Sequence, residues 1–599
     1  MQEVAQLGDF FVLSLCYPDQ RMSNTRGLLI ISLLSILNGK INMMENFPWV
    51  KNYPEGIPAE INLYDYSSVV ELFENSCQKY RDRVAFENMG VTMTYHQIDT
   101  LSKNFAAYLQ SIGLVKGDRI AIQMPNLLQF PIAFFGALRA GLIVVNTNPL
   151  YTPREMEHQF KDSGARAIVI VENFAGSLEK ILANTKIEHI IITGLGDLLG
   201  GVKGAIVNFV VKHVKKMVPG FSLPTAVPFK TALKKGASSA FIKPSISLDD
   251  VAVLQYTGGT TGVAKGAKLS HKNLVAHNSM ITYWFGPYLK QKTEQEIIIT
   301  AIPMYHIFAL TVNGVLMFSS GAKSVLITNP RDIPAFCKEL SKHKFTIVTG
   351  VNTLFNGLLN NPTFASLDFS QLKGAVGGGM AVQDVVAKKW EQVTGKPLVE
   401  GYGLSETSPV LCCNPLDGRH KLGTIGLPMP STIVAIFDDN GNQLPQGSIG
   451  EICAKGPQVM SGYWEKDNEE VFYPGGWFKT GDIGLMDKDG FFKIVDRKKD
   501  MIIVSGFNIY PNEVENIAAA HPKVLEVAAI GVKDDKTGEA IKIFVVKRDP
   551  SLTEEELKKY LHENLTNYKV PKYVEWRKEL PKTNVGKILR RALKEETPA

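Results

Sequence analysis

At 599 residues and about 150 residues per domain, the chain has room for three or four structural units, which excludes a mini-protein or a lone binding module. Hydrophobic residues make up 45% and charged residues 21%, enough apolar material for several cores and unlike a disordered chain. The net charge of +6 is small for this length and does not suggest a dedicated nucleic-acid binder.

The six cysteines (Cys16, Cys77, Cys337, Cys412, Cys413, Cys453) form no CxxC pair and have no histidine at metal-ligand spacing. Reduced, cytosolic thiols fit better than a disulfide scaffold or a zinc ribbon. The adjacent Cys412 and Cys413 read as small buried hydrophobes rather than a redox pair.

The first residues differ in texture from the rest of the chain. Leu28 to Leu37 is apolar but too short to cross a bilayer, which needs about 20 residues. Arg21 and Arg26 before it imitate a secretory signal, yet Asn38-Gly39-Lys40 supplies no small-residue cleavage site. Residues 1–43 are therefore expected to be an atypical extension, with a membrane anchor as the competing reading.

From Tyr95 to Gly113, apolar residues recur at Ile98, Leu101, Phe105, Leu109 and Ile112, the period of a helix closed by glycine. Arg119–Met124, Leu142–Asn146, Ala165–Val171 and His189–Thr193 read as strands, with Phe130–Ala140 a buried helix among them. Strands without internal polar residues, alternating with helices, indicate an α/β fold with parallel sheets covered on both faces. The pattern returns at Ala252–Thr257, Lys323–Ile327 and Phe345–Gly350. Between these groups, Lys203–Val218 reads as a basic amphipathic helix. Asn208, Lys212, Lys215 and Lys216 share one face, while Ile206, Phe209, Val210 and Val214 share the other. The pattern favours an apolar stripe facing the protein's own core over a helix lying in anionic lipid.

After Thr407 the sequence becomes a run of short strands punctuated by Gly and Pro, with Asp439-Asn440-Gly441 as a turn. This reads as a β-rich subdomain. Past Asp496, helix (512–520), strand (524–532), strand (540–547), helix (553–565) and a strand near Tyr573 describe a small α+β unit. The expected domains are 44–495, a joint at 496–500, and 501–599.

The strongest chemical signal directly follows a predicted strand: Tyr256-Thr257-Gly258-Gly259-Thr260-Thr261-Gly262, then Lys265-Gly266. Glycines let backbone amides approach a ligand, hydroxyls add donors, and one ammonium adds charge, which together make a polyphosphate cradle. No register supplies the G-x-x-x-x-G-K-[ST] spacing, so a P-loop NTPase is excluded.

This loop resembles the phosphate-binding motif of the adenylate-forming superfamily of acyl-CoA synthetases, adenylation domains and luciferases. Further family motifs follow in order: Glu400-Gly-Tyr402-Gly-Leu-Ser-Glu406-Thr407, Lys479-Thr-Gly-Asp482, Asp496-Arg497-Lys498-Lys499-Asp500 and Pro581-Lys-Thr-Asn-Val-Gly-Lys587. The resemblance runs from about Met44 to the end. Stretches such as LQYTGGTTGVAKGA and MYHIFALT make it most similar to bacterial long-chain fatty acid–CoA ligases.

The resemblance implies an acyl-CoA synthetase-like fold, with a large α/β domain, a hinge and a small mobile α+β domain. It also implies ATP and coenzyme A as co-substrates, a fatty acid as the acid, and Mg²⁺ held by Thr257 and Glu406. Tyr402 and the loop Gly378-Gly379-Met380 would flank adenine, Thr407 would join the nucleotide contacts, Asp482 would accept the ribose hydroxyls, and Arg497 would assist it. Lys587 would bridge the carboxylate and the α-phosphate; spacing alone would leave it one lysine of a basic tail. Lys499 falls at the hinge and Gly506 along the pantetheine channel, where an ordinary turn glycine is the competing reading.

His306 and Phe308, with Val351, Thr353 and Leu354, would border the acyl pocket, although His306 reads equally well as a packed histidine. The gating tryptophan of some long-chain relatives is absent from this segment. Because the thiol belongs to coenzyme A, the cysteines are expected to be dispensable. Loading of a carrier protein and non-catalytic lipid binding are the alternative functions. The expected setting is cytoplasmic, with peripheral contact to membrane lipid, a homodimer as one assembly, and no nucleic acid.

Overall fold

The computed structural model describes residues 44, 47–257, 264–289, 295–505, 507–534, 536–583 and 586–597; the expected extension 1–43 lies outside them. Among these residues the strands gather into four sheets. One has seven strands, running in space Val227–Pro228, His189–Thr193, Ala167–Val171, Arg119–Gln123, Ile143–Asn146, Val251–Thr257 and Lys265–Ser270. All pair in parallel except the last, which returns antiparallel from the strand ending in Thr257. A second sheet of nine strands has a parallel centre: Val84–Asn88, Lys323–Leu326, Ile297–Thr300, Ile347–Gly350, Gly374–Gly378 and Leu398–Gly403. The α/β expectation thus holds, with strand ends within one or two residues of those read from periodicity.

Helices fill the space between these sheets because their sequences are apolar on more than one face. Every residue of Gln129–Arg139 is buried, as a helix apolar all round requires. Phe73, Phe105, Phe130, Phe134 and Phe135 form one core with strand residues of both sheets, such as Phe86, Ile120 and Val144. The helix Tyr95–Ser111 begins with a capping box of Thr94 and Gln97. Asn126 ties the layers together: its amide donates to the carbonyls of Thr300 (2.9 Å) and Ile302 (3.0 Å), and its oxygen accepts from Met304 N–H at 2.7 Å. That staple fixes the segment leading to His306.

The third sheet, five strands within 433–497, is the β-rich subdomain. Asp438–Gly441 forms the expected hairpin turn: Phe437 bridges Gln443, Asp438 N–H donates to the Asn442 carbonyl at 2.9 Å, and Leu444 N–H donates to the Ile436 carbonyl at 2.7 Å. The strand that pairs along the full length of Ile433–Phe437, Gly450–Lys455, begins farther on. The fourth sheet contains only residues from 502 onward and packs on the helices Pro511–Ala519 and Glu554–Asn564.

The segment 201–217 departs from expectation. It forms a helix, Gly201–Phe209, that widens into a π-helical turn, Val210–Val214. Its inward seam is polar and tight. Asn208 accepts from Gly196 N–H at 2.7 Å and donates to Asp197 at 2.9 Å, while a Cβ at Gly204 would lie 2.3 Å from the Gly196 carbonyl. With Asn208 turned inward, Ile206, Phe209 and Val214 face solvent instead of a core.

Close backbone contact also sets the loop carrying Glu406. A Cβ at Gly403 would fall 1.7 Å from the Pro409 carbonyl oxygen, so only glycine permits this chain crossing. Gly403→Ala is expected to destabilise the protein by about 1–3 kcal/mol and to displace Glu406. Thermal unfolding combined with ATP binding checks this; unchanged values of both would show that the loop adapts freely.

Candidate active site

One large cleft, about 1900 Å³, opens between the sheet edges and is lined by both the large α/β portion and the C-terminal unit. It exceeds the roughly 300–1,000 Å³ of an ordinary small-molecule pocket, leaving room for more than one substrate. Thr257 and Lys265 stand at its wall, opposite each other in the antiparallel pair. The intervening Gly258, Gly259, Thr260, Thr261 and Gly262 lie outside the described residues.

Glu406, 7% exposed, reaches toward Thr257, whose hydroxyl donates to it across 3.4 Å. Its stronger partner is Tyr463, whose hydroxyl donates to the same carboxylate oxygen at 2.7 Å. Lys265 lies over the Tyr463 ring at 5.3 Å, joining the phosphate loop to this carboxylate through one aromatic side chain. Met460 N–H donates to the Glu406 carbonyl at 2.7 Å. The donor set is all oxygen with one carboxylate, which suits Mg²⁺ when phosphate oxygens complete its shell.

Strand register builds the next element. Asp482 and Arg497 are direct partners on the antiparallel strands Trp477–Met486 and Phe492–Arg497, and their side chains meet at 3.4 Å. Tyr402 donates to the other Asp482 oxygen at 2.7 Å. Burial pushes the Asp482 carboxyl above its ordinary range, and Arg497 opposes the rise. Thr480 accepts from Asp482 N–H at 3.1 Å, fixing its backbone. Gly378 and Gly379 line the same wall. A Cβ on Gly378 would meet the Phe308 ring at 3.0 Å, and Gly379 takes φ +79°.

Lys587 enters this wall from the C-terminal unit. Thr583 accepts from Lys587 N–H at 3.0 Å, and Thr353 of the large portion donates to the Gly586 carbonyl at 2.7 Å. The stem of Lys587 passes so close to Gly379 that a Cβ there would sit 2.9 Å from its Cε. Burial and the neighbouring Arg497 bring the ammonium down to about 8 from 10.5, against the pull of Asp482 and Glu406. His306, brought down to about 3 by burial and by Lys587, is neutral beside it.

Other expected residues have different duties. Tyr256 turns its hydroxyl to Asp162 (2.8 Å) and presents its ring to Gly266, so its side chain is a packed wall rather than a phosphate donor. Thr407 is fully buried and spends its hydroxyl on the Leu404 N–H and the Pro409 carbonyl, closing the turn behind Glu406. Val351 and Thr353 pack against Gly586, Thr353 also lining the cleft, and Leu354 packs against the core behind them. Lys499 lies in the turn where Asp500 N–H donates to the Arg497 carbonyl at 3.0 Å. Gly506 is outside the described residues.

Sequence reasoning missed Tyr463, which lacked any motif of its own, and gave no role to Glu400, whose carboxyl burial pushes up to about 8 while Val382 N–H donates to it. It also missed the apolar lobe of the cleft formed by Ile281, Phe285, Val312, Val376, Ile425 and Met429. These come from distant parts of the chain, so no local pattern joins them. Cys77, Cys337, Cys412, Cys413 and Cys453 are free and buried, and burial pushes the Cys413 thiol up to about 12.

The AMP-binding enzyme family matches residues 73–464, and the AMP-binding enzyme C-terminal domain matches residues 513–587. The long-chain-fatty-acid–CoA ligase of Yersinia pestis is 57% identical over 550 residues, 92% of this chain and 98% of its own length. The Bacillus subtilis (strain 168) ligase of the same name is 40% identical over 559 residues, 92% and 99% of the two chains. Among solved structures, ATP-bound MatB from Rhodopseudomonas palustris superposes with TM-score 0.73 at 27% identity, covering 88% of this chain and 98% of its own. The anthranilate CoA ligase AuaEII with anthranoyl-AMP shares the fold at TM-score 0.78 and 24% identity, covering 89% and 98%. The chain belongs to the AMP-binding, adenylate-forming enzyme family, in its bacterial acyl-CoA synthetase branch.

Proposed function

We propose that this chain is an ATP-dependent long-chain fatty acid–CoA ligase. The observation that carries the reading is the meeting of Lys587, Asp482, Arg497 and Glu406 in one cleft that also has an apolar lobe. In the first step the carboxylate oxygen attacks the α-phosphorus, and the bond to pyrophosphate breaks. In the second, the sulfur of coenzyme A attacks the acyl carbon, the bond to AMP breaks, and the thiol proton leaves to solvent.

The first step drives one anion against another, so the site must supply positive charge and donors where charge develops. Lys587 supplies the mobile cation between carboxylate and α-phosphate. Asp482 accepts the ribose hydroxyls while Arg497 balances its charge, and the Tyr402 ring with Gly378-Gly379 shapes the adenine slot. Thr257, Lys265 and the glycines and threonines after Thr257 hold the β- and γ-phosphates. Glu406 and Thr257 would hold Mg²⁺, which neutralises phosphate charge when bound. The lobe of Ile281, Phe285, Val312 and Met429 takes the acyl chain, with neutral His306 and Phe308 at its mouth. Lys499 is the hinge between the two half-reactions, and Gly506 lines the later thiol channel. A ligase of insoluble acids also needs contact with membrane lipid, at the cytoplasmic face.

Lys587→Ala should lower adenylation, read as fatty-acid-dependent ATP–pyrophosphate exchange, by about 10²–10³-fold, as loss of one preorganised charge donor does. Thioester formation from supplied acyl-AMP should persist. Equal loss of both half-reactions would remove the assigned role.

The Lys587 value sets a pH window. The ammonium is present below about pH 8 and is lost above it, so kcat/KM for adenylation should hold at neutral pH and fall as pH rises through about 8. Lys587→Arg, always charged, should abolish that falling limb whatever its effect on the maximum. A limb identical in both proteins would assign it to another group.

Lys499→Pro fixes φ at the hinge and should slow thioester formation far more than pyrophosphate exchange. Matched losses in the two assays would place the hinge elsewhere.

A further inference from the structure

Five of the seventeen large apolar side chains left exposed among the described residues fall within 202–217: Val202 (78%), Ile206 (57%), Phe209 (59%), Val214 (64%) and Met217 (53%). Scattered exposed apolar residues are ordinary, but a cluster on one short helix and the turn that follows it is not. The helix is held on its opposite seam by Gly204, Asn208 and the buried Val211, so these side chains cannot turn inward without breaking the Asn208 bonds. The Phe209 and His213 rings lie 5.1 Å apart within the outward group.

Charge is equally concentrated. Residues 198–248 carry eight lysines and no acidic residue, so this stretch is +8 while the rest of the chain is −2. Lys212, Lys215, Lys216, Lys230, Lys234 and Lys235 are exposed. Among the described residues, none of these six enters a salt bridge, although Lys212 lies near enough to Glu172 to counter the upward push of burial on that carboxyl. Cations outside any salt bridge, beside exposed apolar side chains, are complementary to an anionic bilayer interface, which accepts the apolar groups and attracts the charge.

Topology relates this face to the cleft. The strands His189–Thr193 and Val251–Thr257 belong to the parallel part of one sheet, so the loop leading to this helix and the phosphate loop leave from the same sheet edge. Four inter-strand steps separate them, about 19 Å at roughly 4.8 Å per step.

We propose that residues 201–217, with the lysines of 212–235, form the surface by which the enzyme lies on anionic lipid, setting the substrate edge of its seven-stranded sheet toward the bilayer. This deepens the membrane contact inferred above and rests on the fatty-acid reading. It assigns that contact to a particular helix.

The test uses the full chain with vesicles of phosphatidylcholine and phosphatidylglycerol in equal parts, and with phosphatidylcholine alone. Replacing Lys212, Lys215 and Lys216 by glutamine should weaken binding to the anionic vesicles about a hundredfold at low salt, at about fivefold per lysine. Binding to neutral vesicles should change little. Ile206→Ser, Phe209→Ser and Val214→Ser together should weaken both. Both variants should make acyl-CoA from detergent-solubilised fatty acid at the wild-type rate, yet more slowly from fatty acid held in anionic vesicles. Wild-type vesicle binding by both variants overturns the proposal, as does a change of oligomeric state, which would make the face a contact between copies. If the unaltered chain makes no acyl-CoA even from solubilised acid, the ligase reading itself fails. Should the serine variant not fold, the glutamine variant decides the matter alone.

Discussion

A lysine ammonium taken out of water is the constraint on which this structure turns. To join two anions, the protein must place a cation where no bulk solvent can dilute its field, and desolvation alone would strip that cation of its proton. Here the burial that lowers Lys587 to about 8 is offset by Asp482 and Glu406, which keep it largely charged at neutral pH. The same carboxylates serve other partners, Arg497 and Tyr402 for one and Tyr463 for the other. Removing either carboxylate takes away part of the pull that holds the proton on Lys587.

Backbone shape delivers the lysine to that place. Gly379 leaves the room through which the Lys587 stem passes, and Gly586 adopts φ +85° against Thr353 and Val351. Side chains at either position would hold the C-terminal loop away from the wall. Among the described residues the contact is made of few hydrogen bonds, including Thr353 to Gly586 and Asn356 to the Leu525 carbonyl. The more extensive network, Arg590 with Asp496, Asn512 and Glu515, lies between the joint and the C-terminal unit itself. A unit firmly bound to its joint and lightly bound to the cleft suits an element that changes position between two reactions.

Much of this architecture was legible in the sequence because its strands are buried on both faces. Continuous apolar runs such as Ala167–Val171 admit few readings once helices separate them. The ordered motifs located Thr257, Glu406, Asp482, Arg497 and Lys587, since each chemistry demands a particular residue type. What escaped depends on tertiary arrangement. Tyr463 acts on Glu406 only because its segment pairs with the strand Lys265–Ser270. Thr407 and Tyr256 carry the right groups but spend them on the backbone turn and on Asp162. The helix after Gly200 runs against its periodicity, which assigns two faces without saying which one the protein covers; the glycine contact and the Asn208 bonds decide that.

The central claim is that the threonine-glycine wall and the C-terminal lysine act on a single nucleotide. A crystal structure of the chain with a non-hydrolysable acyl-adenylate analogue tests this most directly. The expected result is the Lys587 ammonium within hydrogen-bonding distance of the α-phosphate position, the ribose hydroxyls on Asp482, and the acyl chain in the lobe of Ile281 and Met429. An analogue bound in the cleft with Lys587 turned away, in every conformation that supports pyrophosphate exchange, would contradict it.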